Sequence, residues 1–276
     1  MSKVIEPSRW LEQVRAQHPL VHNITNLVVT HIAANALISI GASPVMAYAR
    51  EEVADMARIA GSLALNMGTL DDRVVEAMEI AGKSANLVGV PVIFDPVGVG
   101  ATPYRNQVAA QLTDSLQLAL LKGNGGEMSF LLGAGGQVKG VDASVVSNDL
   151  PRALKEYAQT HQCAVMATGA VDYVSDGQRV WMLSNGHPLL AAITGSGCMA
   201  TAVLGGFLAV AGKQQTPSVY AEAAIAGLTC YNVAAEIAAK KAAGPGTFQS
   251  CLFDALYYLD GRVVNEQAKV SEVSLS

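Results

Sequence analysis

Six short apolar runs punctuate the first two thirds of the chain: PLVHNIT (19–25), SPVMAY (43–48), SLALNMG (62–68), PVIFDPVG (91–98), LALLKGN (118–124) and AVMATG (164–169). Each is bounded by Gly, Pro, Asn or Asp, the signature of a strand buried on both faces. Between them lie helix-like stretches over 26–41, 51–61, 71–89, 104–116 and 148–162. Strand alternating with helix predicts an α/β fold, a mostly parallel central sheet covered by helices on both faces. DYVSDG (172–177) and RVWMLSNG (179–186) instead predict an antiparallel hairpin added at one edge. Beyond residue 196 the pattern turns helical, with long Ala-rich runs over 197–211 and 217–242 and a last helix over 248–261. No linker, low-complexity segment or internal repeat intervenes, so residues 1–276 read as one domain.

Composition sharpens this picture. Apolar residues make up 51% of the chain and charged residues only 15%, against a usual charged share of about 25%. Less charge leaves more surface to be hidden between subunits, and a homo-oligomer is expected. The net charge of −5 without a basic run excludes a nucleic-acid backbone as partner. Four cysteines (Cys163, Cys198, Cys230, Cys251) are scattered without a CxxC pair, as reduced thiols of a cytoplasmic protein would be. The first 17 residues carry charges throughout and are not a signal peptide. The apolar run over 199–211 is shorter than a membrane span of about 20 residues.

In open parallel sheets, ligands bind where strands give way to loops at their carboxyl ends. Several such segments here carry chemistry. TGSGC (194–198) precedes an apolar helix, so the helix's first N–H groups lack intrahelical partners and the glycines admit a ligand to the backbone. An anion, most naturally a transferring phosphoryl group, suits that position, with Gly197 at its centre. A glycine-rich turn that only packs the helix closely on the sheet explains the same residues. In KGNGGEM (122–128), Asn124 and Glu127 suit hydrated Mg²⁺, and they equally suit a capping pair at a helix start. Asp95 in FDPVGVGATPYR (94–105) is placed to orient Mg²⁺ and its waters, or to brace the glycine-rich loop behind it. Thr168 and Gly169 in ATGAVDYVSDG (167–177) offer a hydroxyl and bare backbone to a nucleotide, or form an ordinary turn before Asp172. Asn26, Val28 and Met46 supply a mixed polar and apolar lining for a small heteroaromatic ligand, although a lone methionine after a strand is usually core. His22 reads as an interior histidine. Together these segments form a kinase-type constellation, since phosphoryl transfer needs chiefly positioning and charge stabilisation.

VHNITN, GASPVMAYAREEV, NMGTL, FDPVGVGAT, KGNGGE, ATGAVDYVSDG, TGSGC and GPGTF occur in order over 19–248 and together resemble the hydroxyethylthiazole kinase family. The resemblance implies a ribokinase-like fold and ATP-dependent phosphorylation of the alcohol of 4-methyl-5-(2-hydroxyethyl)thiazole, in thiamine salvage. It also implies Mg²⁺ and a homotrimer with active sites at subunit boundaries. Asn26, Val28 and Met46 match the thiazole pocket, and Gly195 a backbone that touches substrate. Lys122 and Thr168 match nucleotide-binding positions, with Gly197 on the phosphate side, and Asp95 and Glu127 match the Mg²⁺–phosphate region. The family often carries Arg where this chain has Lys122. The wider superfamily carries an aspartate base where this chain has Cys198, the candidate catalytic residue. At a helix N-terminus a thiol pKa is expected to fall, which would let a thiolate accept the alcohol proton; otherwise Cys198 only lines the pocket. Competing readings are a kinase for hydroxymethylpyrimidine or pyridoxal, a dehydratase that repairs hydrated nicotinamide cofactors, and a non-catalytic sensor.

Overall fold

The computed structural model describes residues 5–134 and 149–275. The strands are β1 (Leu20–Ile24), β2 (Ser43–Val45), β3 (Ser62–Asn66), β4 (Val92–Asp95), β5 (Leu120–Asn124), β6 (Ala164–Thr168), β7 (Asp172–Ser175), β8 (Val180–Leu183) and β9 (Val270–Glu272). They form one sheet in the order β2-β1-β3-β4-β5-β6-β7-β8-β9. β1 to β6 run parallel, and β7 to β9 are antiparallel additions. The predicted hairpin is present, but it does not form the edge. The short, polar β9 pairs with β8 outside it, and three residues reading Val-Ser-Glu carry no strand pattern of their own.

The helices are α1 (Pro7–Gln17), α2 (Thr30–Ile40), α3 (Val53–Ile59), α4 (Asp72–Leu87), α5 (Pro103–Ser115), α6 (Gly125–Leu131), α7 (Leu150–His161), α8 (Ser196–Ala211), α9 (Pro217–Ala239), α10 (Pro245–Tyr257) and α11 (Gly261–Gln267). Alternate strand residues feed two cores, as the twofold repeat of a pleated strand demands. Ala64, Ile93 and Leu120 pack toward α1, α2 and α8 to α10. Leu63, Leu65, Val92, Phe94 and Leu121 pack toward α3 to α5 and α7 on the other face. The predicted helix at 26–41 begins only at Thr30, because the Asn26 side chain accepts from the Val28 N–H at 3.2 Å and holds 26–29 in a turn. Asn148, at the start of the helix predicted over 148–162, lies outside the described residues. Asp260 caps α11 and divides the last predicted helix, which ends at Tyr257.

α8 is the central helix, buried from Met199 through Leu208. Burying a side chain such as Leu204 or Phe207 contributes about 1.5–3 kcal/mol each. Gly205 lets this helix approach β1: a Cβ there would lie 2.6 Å from Val21 Cγ1, and the Ser62 hydroxyl donates to the Gly205 carbonyl at 2.7 Å. The apolar run thus belongs to a core helix. Among the described residues no helix is long and apolar enough to cross a membrane.

Candidate active site

The parallel strands end on one side of the sheet, and the strand order reverses beside β1. The chain leaving β1 enters α2 against α8, whereas the chain leaving β3 enters α4 against α3 on the opposite face. Their divergence opens a crevice at the carboxyl ends. Asn26, Asn66, Asp95 and Thr168 stand at or just beyond those ends, and Lys122 lies two residues before the end of β5.

Asp95 closes β4 and is buried. Its Oδ2 accepts from Asn66 Nδ2 at 3.0 Å, Lys122 Nζ at 3.2 Å and Thr201 Oγ1 at 2.5 Å. Lys122, only 2% exposed, also donates to the Gly197 carbonyl at 3.0 Å. Asn66 Oδ1 accepts from Asn26 Nδ2 at 2.8 Å, and Asn26 Nδ2 lies 3.3 Å from Cys198 Sγ. One continuous network therefore joins the ends of β1, β3, β4 and β5 to the start of α8. A buried ion pair of this kind is held by its added hydrogen bonds. Removing one partner typically costs 3–5 kcal/mol, because the other charge is stranded.

α8 begins without a capping side chain. Its N-cap is Gly195, at φ 75°, where a Cβ would come within 2.2 Å of Val29 Cγ1. Only glycine fits, and it offers no side-chain acceptor to the first amides of the helix. Those amides, with Lys122 bonded to the Gly197 carbonyl and Cys198 among them, form a cradle. Burial pulls the Lys122 pKa down, but the charge and hydrogen bond of Asp95, with the charge of Glu127, outweigh it and hold the ammonium charged.

Glu127 serves in a capping box: its Oε2 accepts from the Asn124 N–H at 2.8 Å, and Asn124 Oδ1 accepts from the Glu127 N–H at 2.9 Å. Its other oxygen accepts from Gly98 N–H at 2.7 Å, tying the loop after β4 to α6. The capping arrangement and the site position thus coexist in one residue. Burial, then the charge of Asp95, push the Glu127 carboxyl up to about 7. Two hard carboxylates that repel each other across a buried crevice suit a hydrated divalent cation, and Mg²⁺ fits this donor set.

The lowered thiol pKa expected for Cys198 is not found. Burial raises it, the charge of Asp95 adds to the rise, and Lys122, Asn66 and Asn26 only partly offset them. The helix terminus that should favour a thiolate is here overridden by loss of water. Thr168 closes β6 beside Asn124, its hydroxyl donating to the Gly123 carbonyl at 3.3 Å. Met46 follows β2 and is half-buried against the α2–α8 core, while Val28 stands 68% exposed. Val28 meets the central network only through its backbone N–H, which donates to Asn26 Oδ1. His22 is an interior residue, its Nε2 bonded to the Ala47 carbonyl at 2.9 Å, and burial lowers its pKa.

Asn66 and Thr201 were not singled out in the sequence, yet both grip Asp95. Asn66 is a polar residue at a strand's carboxyl end, the same signal that marks Asp95. Thr201 lies one helical turn past Gly197 inside an apolar run, where nothing local distinguishes it. Arg105 was also passed over; it donates to the Met67, Gly68 and Val97 carbonyls at 2.8, 2.8 and 2.6 Å and pins the loops after β3 and β4.

Strands about 4.8 Å apart place the β1 and β6 ends roughly 19 Å from each other, with the cradle between them. Such an arrangement on this fold defines a phosphotransferase of the ribokinase-like class. The chain belongs to the hydroxyethylthiazole kinase family, whose model matches residues 11–262. Hydroxyethylthiazole kinase of Moorella thermoacetica is 49% identical over 259 residues, covering 94% of this chain and 95% of that one. The structure of hydroxyethylthiazole kinase protein from Pyrococcus horikoshii OT3 is similar with a TM-score of 0.86 and 40% identity, over 97% of this chain and 99% of its own. A ribokinase-like superfamily protein of Enterococcus faecalis V583, at 13% identity and a TM-score of 0.62, covers 90% of this chain and 93% of its own and shares the fold.

Proposed function

We propose that the protein transfers the γ-phosphoryl group of ATP to the hydroxyl of 4-methyl-5-(2-hydroxyethyl)thiazole. The observation that carries this reading is the contact between Asn26 and Cys198 at the same helix start whose Gly197 carbonyl is held by Lys122. Acceptor side and phosphate side meet there. The thiazole lies over Asn26, with Val28 and Met46 as its apolar walls and the Gly195 backbone beneath. ATP enters from the β5–β6 side past Thr168. The amides of 196–198 and the Lys122 ammonium meet charge as it develops on the transferring group. Asp95 and Glu127 would hold Mg²⁺. When bound, that ion neutralises charge on the phosphate oxygens. Cys198, a neutral thiol, lines the pocket beside the alcohol, whose proton leaves with the phosphoryl oxygens. A loose transition state asks little of a base.

Leu27 and Val28, 76% and 68% exposed, stand together at the acceptor end. We place a subunit boundary over them, in a homotrimer whose neighbouring chain closes each thiazole pocket. The deciding experiment is an ADP-release assay with Mg²⁺·ATP and hydroxyethylthiazole, run beside pyridoxal and hydroxymethylpyrimidine. Release of one ADP per phosphorylated thiazole, with the other acceptors much poorer, is expected. Binding of ATP and thiazole without transfer, or preference for another acceptor, overturns the proposal.

A further inference from the structure

Asp172 opens β7, next to the nucleotide side of the crevice, and takes no part in the chemistry above. It is 4% exposed. Its Oδ1 accepts from the Gly169 N–H at 2.9 Å, and its Oδ2 accepts from Asn232 Nδ2 at 2.8 Å. Asn232 lies on α9, also buried, and the same Nδ2 donates its second hydrogen to the Asn185 carbonyl at 3.0 Å. Asn185 belongs to the loop that leaves β8 and leads into Gly195 and α8. One amide group therefore ties the turn after Thr168 to the chain segment that delivers the phosphate cradle.

The turn itself, residues 169–171, is exposed, so its shape depends on what anchors it from below. Asp172 turns the Gly169 N–H inward and leaves the Thr168 hydroxyl at the rim. A buried carboxylate is an expensive way to fill this space: burial pushes Asp172 up to about 6. An apolar side chain would fill it at less cost, but could not hold an amide on each side.

We propose that Asp172 and Asn232 are a pair of positioning residues for nucleotide binding, holding the Thr168 turn at a set distance from the α8 start. The inference rests on the nucleotide reading of that turn.

The test is a variant cycle in the full-length chain. Asp172→Asn sets two amide nitrogens against each other, and Asn232→Asp sets two carboxylates against each other. The combination of both restores a donor and an acceptor between positions 172 and 232 with reversed polarity, but leaves the Asn185 carbonyl without its donor. Each single variant should raise the ATP dissociation constant, measured directly by titration, by about tenfold, the equivalent of one lost hydrogen bond to a charged group. KM for ATP should rise in parallel, with kcat at saturating ATP and KM for the thiazole within twofold of the parent. The double variant should recover the part of the ATP affinity that depends on the 172–232 contact and not the part that depends on the Asn185 tie, so it should bind ATP more tightly than either single variant and less tightly than the parent. If Asp172→Asn fails to fold, Asn232→Ser, which keeps one donor, carries the same expectation. Single variants that fold with unchanged ATP affinity, or that weaken ATP and thiazole alike, overturn the inference. Because ATP binding is read without turnover, that failure is separable from failure of the thiazole kinase reading.

Discussion

The Cys198 thiol sits where an amide-rich helix start favours the anion, yet burial and the nearby Asp95 charge push its pKa up. We propose that it lines the pocket and takes no proton. Cys198→Ala should therefore lower kcat by less than about 10²-fold, the lower bound for a positioned base, with no thiol limb in the pH–rate profile. A larger loss in folded, ATP-binding protein would mark Cys198 as a proton acceptor. Glu127 is shifted in the same direction, a carboxyl lifted from 4.5 to about 7 by burial and by Asp95. Between those values the folded chain binds more protons than the unfolded chain, so this group makes stability fall as pH rises, with its full penalty present above 7. Thermal unfolding in metal-free buffer from pH 5 to 8 should show that fall, and Glu127→Gln should flatten it. Equal slopes in both proteins would refute the assignment.

Among the elements, α8 carries both core and site, and its two ends of function separate along its length. Gly195 is needed for backbone conformation and close approach to Val29, whereas Gly205 is needed for approach to Val21. Gly195→Ala meets both an αL penalty of about 1–2 kcal/mol and a clash, and it shifts the amides that we propose face the phosphate. Turnover of the folded enzyme should drop at least tenfold. Gly205→Ala overpacks the helix against β1 and should cost about 1–3 kcal/mol in denaturant unfolding, with kcat of the folded fraction near that of the parent. The reverse pattern would mean that the α8 start is not where the phosphate is handled.

Over the whole molecule, low charge and an apolar pair at the acceptor end point the same way. Leu27 and Val28 are exposed in the single chain although they flank Asn26, a residue of the central network. Sedimentation should give a mass three times that of the chain. Leu27→Asp should shift it toward monomer and raise KM for the thiazole more than KM for ATP. A monomeric parent with full activity would remove the shared-site proposal.

The alternation of apolar strands and amphipathic helices determined the parallel sheet, its two covered faces and the antiparallel hairpin, because burial periodicity is written locally. The polar residues at strand ends, such as Asp95 and Thr168, were legible for the same reason, as was the glycine-rich start of α8. Other features came only from the assembled structure. Thr201 joins Asp95, Asn232 joins Asp172, and Arg105 joins two loops across separations that no local pattern records. β9 exists because β8 offers it a partner, not because three residues prefer a strand. The charge states of Cys198 and Glu127 were decided there too, since burial and neighbouring charge depend on residues distant in the chain, and these outweigh the local bias of a helix terminus or a capping motif.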